Sequence, residues 1–539
     1  MALRPTKSNT MKYTRFLSFL AFILLLAACS EQESYDLIIR NGNIYDGLGK
    51  PAIRQDIAIK GDKIVKIGTQ LTGVGTKEID AKGLAVSPGF IDVHTHAEPL
   101  PLMPEAESHL RQGVTTSLGG PDGGCPLPIG AYLDSLAEQT IGINIAYLVG
   151  HNTVRNHVMG LENRAPSAEE LQEMKGLIEK SMLEGAFGIS TGLKYLPGTY
   201  AKLDEVVALS KVASSHGGFY TSHLREEGLS LLEGVGEAIQ IAEQADIPVV
   251  LTHHKVVGAP MWGASTKTLS MVDEARTKGL DVMIDQYPYT ASFTSLSILI
   301  PAWSMADDRY EGFAKRCEDP ILRDSIKRGI IFNLINDRGG NDLRRVQFSR
   351  FDWKPEFDGK TLYDWAIAEG LEPTMETGAE LIIQAQIHRG ARCIFHAMAE
   401  EDVIRIMQHP QTMIASDGRY TAMGKGHPHP RNYGTFPRVL GHFVREKQVL
   451  TLEEAIRKMT SLPAKLLGLE DRGTLREGNY ADITIFDPAT VNDAGTFTDP
   501  HHDPVGIRMV IVNGKLTVKD ETYHDVRAGQ VLRGPAYKK

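Results

Sequence analysis

Cysteine is scarce in this sequence: 539 residues carry four, Cys29, Cys125, Cys317 and Cys393. The last three are too few to frame a chain of this size with disulfides. Long basic runs are missing, and the formal net charge is −9. Nucleic acid is therefore excluded as a partner class. An anionic ligand would have to be held by local Lys or Arg against an overall negative field. No low-complexity segment or internal repeat with a period of roughly 20–50 residues stands out. What remains is an ordinary globular composition, 42% hydrophobic and 23% charged, with ample material for a large core. The length is a loose prior for several domains, although α/β barrels often run long as one.

The N-terminus reads as a targeting segment. Lys7, Lys12 and Arg15 are basic, and Phe16 to Ala28 is an apolar run of about a dozen residues, short for a membrane span. It ends in Leu26-Ala27-Ala28-Cys29, which resembles a bacterial lipoprotein signal. That resemblance implies cleavage before Cys29, lipidation of Cys29, and a membrane partner through the lipid. It also implies residence on the periplasmic side, with Ser30 matching the outer-membrane sorting choice. Residues 1–29 are thus set apart from the mature chain.

Both ends of the mature chain are strand-rich. Asn41-Gly42, Gly61-Asp62 and Asn513-Gly514 lie between short apolar alternations, each a hairpin signal. Residues 30–88 and 470–539 are expected to form one small β-sandwich domain. Between them, eight apolar runs alternate with helical patterns. They are Phe90–Val93, Val114–Leu118, Ile143–Val149, Ala186–Ser190, Gly218–Ser222, Pro248–Thr252, Leu280–Asp285 and Thr412–Ser416. Eight such units predict an α/β fold, a TIM-type (β/α)8 barrel over 89–469. The stretch of about 293–391 between runs seven and eight exceeds a simple crossover and predicts an inserted subdomain.

Active sites of such barrels sit at the C-terminal strand ends. Run one ends in His94-Thr95-His96, and residues two apart on a strand share a face. An H-x-H pair alone is weak, since His427-Pro-His429 is another. Position adds specificity, because run five ends in His223, run six in His253-His254 and run eight in Asp417. Four strands ending in imidazole or carboxylate make a metal-site constellation. His254 must face opposite His253, away from the mouth. His151 and His396, lone histidines near strand ends, read as structural.

The phrase Phe90-Ile-Asp-Val-His-Thr-His, after Ser87-Pro-Gly, resembles the first metal motif of the amidohydrolase superfamily. Gly188-Ile-Ser-Thr-Gly, His223-Leu-Arg-Glu-Glu-Gly, His253-His-Lys-Val-Val-Gly, Tyr287-Pro-Tyr, Ser416-Asp-Gly and the run from His429 to Gly441 resemble the N-acyl-D-amino-acid deacylases (D-aminoacylases). The resemblance spans about Asp36 to Leu532. It implies metal ligands His94, His96, His223 and His253 for one or two divalent ions, zinc by default. It also implies Asp417 as the general base in hydrolysis of a small-molecule amide.

One departure matters. Cys-type members of the family carry a metal-binding Cys at a fixed step after the second strand. Here that step falls on Asp122, and Cys125 comes three residues late. Lys194, at the end of run four, is expected to carry a carbamate bridging two ions, as in many amidohydrolases; Asp122 and Cys125 remain rivals for the bridge. For a substrate carboxylate the candidates are Lys255, Tyr287, Arg225 and Arg419, the resemblance favouring the first two. Alternatives on the same scaffold are a D-residue dipeptidase, a cyclic amidase of the dihydroorotase or hydantoinase kind, and a non-catalytic binding lipoprotein.

Overall fold

The computed structural model describes residues 1–2, 33–306 and 308–538. Residues 3–29 of the targeting segment, Cys29 included, lie outside the described residues.

The eight apolar runs form the eight parallel strands of a closed barrel. Strands one to three, Phe90–Asp92, Val114–Gly119 and Asn144–Tyr147, pair in that order. Strand three resumes as Val149–Gly150, which pairs with strand four, Gly188–Gly192. Strands five to eight follow as Phe219–His223, Val249–Leu251, Val282–Gln286 and Thr412–Ile414. Closure happens at the mouth, where Gly418–Arg419 pairs in parallel with Thr95–His96. There the Asp417 amide donates to the His94 carbonyl over 3.0 Å. The strands are buried on both faces because helices cover the outside. Leu231–Ala245 shows how: Leu231, Val235, Ala238, Ala242 and Ala245 recur at helical spacing and are all buried.

The termini build a single nine-stranded sheet. Its order runs Thr522–Tyr523, Lys515–Lys519, Ile507–Val512, Ile483–Phe486, Ala85–Pro88, Ser34–Ile44, Ile53–Lys60 and Lys63–Gly68, with Val74–Asp80 also on Ser34–Ile44. The edge strand Lys63–Gly68 turns back, its Ile64 amide donating to the Asn479 carbonyl over 2.9 Å. The sheet thus curls around Leu37, Ile39, Ile57, Ile59, Ile483 and Ile511. Gly61-Asp62 and Asn513-Gly514 make the expected hairpins. Asn41-Gly42 does not: Ser34–Ile44 is one strand, with a register shift between Ile39 and Gly42. Asn41 takes φ 59°, and a Cβ on Gly42 would sit 2.6 Å from Val86 Cγ2. The pair forms a bulge, because Ile53–Lys60 on one side and Val74–Asp80 with Ala85–Pro88 on the other hold the strand straight.

The insert has its own core. Strands Ser292–Ser295, Arg392–Phe395 and Val346–Arg350 form an antiparallel sheet. Helices Pro320–Asn336 and Met375–Ile387 pack with it around Phe313, Ile330, Leu334, Phe348, Phe351 and Trp365.

A buried polar joint ties the β domain to the barrel. Asp482 accepts from the Asn513 amide (2.8 Å), from Asn144 Nδ2 (3.2 Å) and from the Arg472 guanidinium. Asn144 begins strand three, and its side-chain oxygen accepts from Asn513 Nδ2 and the Gln530 amide. Removing one partner of a buried ion pair costs about 3–5 kcal/mol, because the remaining charge is stranded. Asp482→Asn should therefore lower the unfolding free energy by about 3–5 kcal/mol in equilibrium denaturation. An unchanged midpoint would contradict the joint's role.

Candidate metal centre

Strand one delivers His94 and His96 to the mouth through a buried anchor. Asp92 Oδ1 accepts from the His94 amide (3.2 Å) and the Ser416 amide (2.9 Å). Its Oδ2 accepts from the Thr95 hydroxyl (2.8 Å) and from Ser416 Oγ. One carboxylate thus clamps the ends of strands one and eight, so the two histidines and Asp417 share a site. Asp285, at the end of strand seven, accepts the His253 amide over 2.6 Å. Burial pushes its carboxyl up to about 6.

Asp122 arrives from the loop after strand two. That loop lies against strands three and four: Ser190 Oγ donates to the Gly120 carbonyl (2.6 Å), and the Gly123 amide donates to Ser190 Oγ (3.1 Å). Gly123 has φ +77°, and a Cβ there would come within 2.1 Å of Asn152 Oδ1. Asp122, His253 and Asp417 themselves adopt left-handed φ of 54°, 37° and 47°. Such bends cost about 1–3 kcal/mol each and gather at functional sites.

The side chains meet in two groups sharing one residue. His94, His96, Asp122 and Asp417 form the first; Asp122, His223 and His253 form the second. Asp122 Oδ1 lies 3.6 Å from His94 Nε2, 3.8 Å from His223 Nδ1 and 3.3 Å from His253 Nε2. Asp122 Oδ2 is 3.6 Å from His96 Nε2. Asp417 Oδ1 is 3.6 Å and 3.3 Å from the Nε2 atoms of His94 and His96. Its Oδ2 is held by Arg431 at 2.8 Å.

Burial works against ionising Asp122 and Asp417. The positive neighbours outweigh it: His94 and His253 for Asp122, and Arg431 with the histidines for Asp417, hold both far below the usual carboxylate range. Burial also opposes charge on His96, yet hydrogen bonds to Asp417 and Glu98 hold it up at about 10.

These residues fit a metal. All four ring nitrogens of His94 and His223 are buried without a hydrogen-bond partner, whereas buried polar atoms almost always have one. Imidazole with carboxylate is a zinc donor set. Zinc bonds of about 2.0–2.2 Å in a tetrahedron put neighbouring donors about 3.3–3.6 Å apart, close to the separations found here.

The other expected residues divide. Lys194 belongs to neither group: its ammonium is held by Glu226 at 2.7 and 2.8 Å. The carboxylate that meets both groups is Asp122, one of the rivals to Lys194 for the bridge. Cys125 is outside both groups as well, and burial pushes its thiol up to about 11, away from the thiolate a metal needs.

Lys255 lines the cavity wall, donating to Glu227 and lying 2.6 Å from His253 Nδ1. Arg419 also lines it, with 48% of its side chain exposed. Tyr287 is buried, its hydroxyl turned to Met398 Sδ at 3.7 Å. Arg225 is spent on Glu237 and the carbonyls of Thr199 and Ala201. Neither is among the residues lining the cavity. His254 turns to Thr268 Oγ1, His151 to Glu205, His396 to Gln347 and His429 to the Ala291 carbonyl.

The groups stand at the floor of a cavity of about 900 Å³, whose outer wall is the insert. Arg309, Arg350, Arg389 and Arg392 of the insert face it. The sequence reading missed them, and it also missed Asp92, Asp285, Glu227 and Arg431. Three of these stood inside the family phrases, Asp92 two before His94, Glu227 four after His223 and Arg431 two after His429, and Asp285 ends run seven.

Comparisons with known proteins give the family of the chain. The Amidohydrolase family profile matches residues 77–260 and 360–518. The chain is 35% identical to D-aminoacylase of Alcaligenes xylosoxydans xylosoxydans over 93% of this chain and 98% of that one. A crystal structure of N-acyl-D-glutamate deacylase from Bordetella bronchiseptica, complexed with zinc and a phosphonate mimic of the tetrahedral intermediate, aligns with TM-score 0.79 at 34% identity. That alignment covers 93% of this chain and 100% of that one. A D-aminoacylase structure with a binuclear metal centre aligns with TM-score 0.78 at 32% identity, covering the same shares. The chain belongs to the amidohydrolase family, and within it to the D-aminoacylases.

Proposed function

We propose that this enzyme hydrolyses the amide bond of N-acyl-D-amino acids, releasing a carboxylate and a free D-amino acid, at a zinc centre with two ion positions. His94, His96 and Asp417 serve one position, His223 and His253 the other, and Asp122 is common to both. The observation that carries this reading is Asp122, whose carboxylate lies within 3.3–3.8 Å of an imidazole nitrogen from each of the four histidines. Zinc bound there would polarise the amide carbonyl and bring the pKa of water toward ~7.

Asp417 does the proton work. Arg431 occupies its Oδ2, which leaves Oδ1 to take the proton of the attacking water and return it to the leaving nitrogen. A carboxylate kept ionised by Arg431 suits a base at neutral pH. Lys255, Arg419 and the four insert arginines at the cavity favour an anionic substrate such as an N-acyl amino acid. They act locally against a net charge of −9. We also propose that Cys29 is lipidated and holds the enzyme on the periplasmic side of a bacterial membrane. The support is the basic stretch, the apolar run and Leu26-Ala27-Ala28-Cys29.

Zinc-loaded protein beginning at Ser30 should release amine from N-acetyl-D-amino acids and not from their L-forms. Equal turnover of both, or of neither, would reject the substrate assignment. In a panel of variants, Asp417→Asn should lose about 10²–10⁴-fold in kcat. Asp122→Ala should lose bound zinc, while Lys194→Ala keeps two ions. Loss of an ion in Lys194→Ala with full retention in Asp122→Ala would restore the lysine bridge. Metabolic labelling with a radioactive fatty acid should mark the full chain and spare Cys29→Ala. Label persisting in that variant would sink the anchor.

A further inference from the structure

We infer that Glu227 is a positioning residue for the His223–His253 half of the centre, and that the insert reaches the metal site through it. Glu227 follows strand five by four residues, and its side chain is 2% exposed. Its Oε2 lies 3.4 Å from His223 Nε2, and its Oε1 lies 3.3 Å from His253 Nδ1. These are the nitrogens turned away from Asp122, which His223 meets through Nδ1 and His253 through Nε2. One carboxylate therefore stands behind two imidazoles. A carboxylate on the far side of a ring orients it and raises its basicity, which strengthens the bond its other nitrogen makes to an ion. His94 has no counterpart, since the carboxylates near it, those of Asp122 and Asp417, both face its Nε2.

An anion this deep is sustained only by close cations. Lys255 donates to Oε1, and Arg338 NH2 donates to Oε2 over 2.5 Å. Arg338 lies just past the insert helix Pro320–Asn336, and its side chain is 2% exposed. The insert thus contributes a buried guanidinium two bonds of contact away from the metal-facing imidazoles: Arg338 to Glu227, then Glu227 to both histidines. A purely structural ion pair would hold the insert down and leave ion affinity untouched. A positioning carboxylate would set the affinity of one ion position and leave the other alone.

The inference rests on the two-position reading given above, and its test counts ions, so it is independent of which amide is cleaved. Zinc would be titrated into metal-free whole protein against a chromophoric chelator, for wild type, Glu227→Gln, Arg338→Gln and the double variant, with melting curves alongside. In Glu227→Gln one zinc should bind about 10–100-fold more weakly, with the other unchanged. Arg338→Gln should weaken the same ion, and the double variant should be no worse than Glu227→Gln, because the two substitutions break one chain of contacts. Two ions held at wild-type affinity in Glu227→Gln would overturn the inference. If that variant does not fold, unchanged affinities in Arg338→Gln would overturn it instead. A wild type that binds no zinc would remove the two-position reading itself, and the inference with it.

Discussion

The Asp122 carboxylate is the constraint on which the site depends. Four imidazoles, three of them buried, converge on it, and bringing that many ring nitrogens together out of water is unfavourable unless they find partners. The carboxylate can accept from ring N–H groups, and a cation would take the ring lone pairs. The remainder of the mouth serves this convergence. Asp92 clamps strands one and eight, Asp285 holds the His253 amide, and Arg431 holds Asp417.

The barrel supplies what such a cluster requires, namely backbone that does not yield. Asp122, His253 and Asp417 sit in left-handed conformations that a flexible loop would relax. Here Asp122 and His253 each follow a buried strand paired on both sides, and Asp417 stands between strand eight and the Gly418–Arg419 pairing that closes the mouth. The strain of these bends, about 1–3 kcal/mol apiece, is offset by a scaffold whose strands are buried under the covering helices. Glycine contributes at Gly123, where no side chain fits between the Asp122 loop and Asn152.

The insert turns an open barrel mouth into a cavity. It folds around its own aromatic core and presents arginines to a space whose floor holds the histidines with Asp122 and Asp417. This arrangement suits a substrate with an anionic group held outward and an amide held at the floor. Arg338 also makes the insert part of the ion site's support, since its partner Glu227 touches two histidines.

Much of this was legible in the chain. Strand alternation has a period of two, so His94 and His96 share a face whatever surrounds them, and a strand-ending His or Asp in a parallel barrel must stand at the mouth. For the same reason His254 was readable as facing away. Side-chain partners at long range were not legible. Lys194, Arg225 and Tyr287 occupy suitable strand ends, yet Glu226, Glu237 and Met398 claim them. Asn41-Gly42 has hairpin composition, yet neighbours on both sides make it a bulge. By itself the sequence determined the barrel, the split β domain, the insert's location and the ligand-bearing strand ends, because these follow from local periodicity and order. Only the tertiary structure decided that Asp122 bridges the histidine groups and that Glu227 and Arg338 stand behind them. Those choices depend on distances between segments far apart in the chain, which no local pattern encodes.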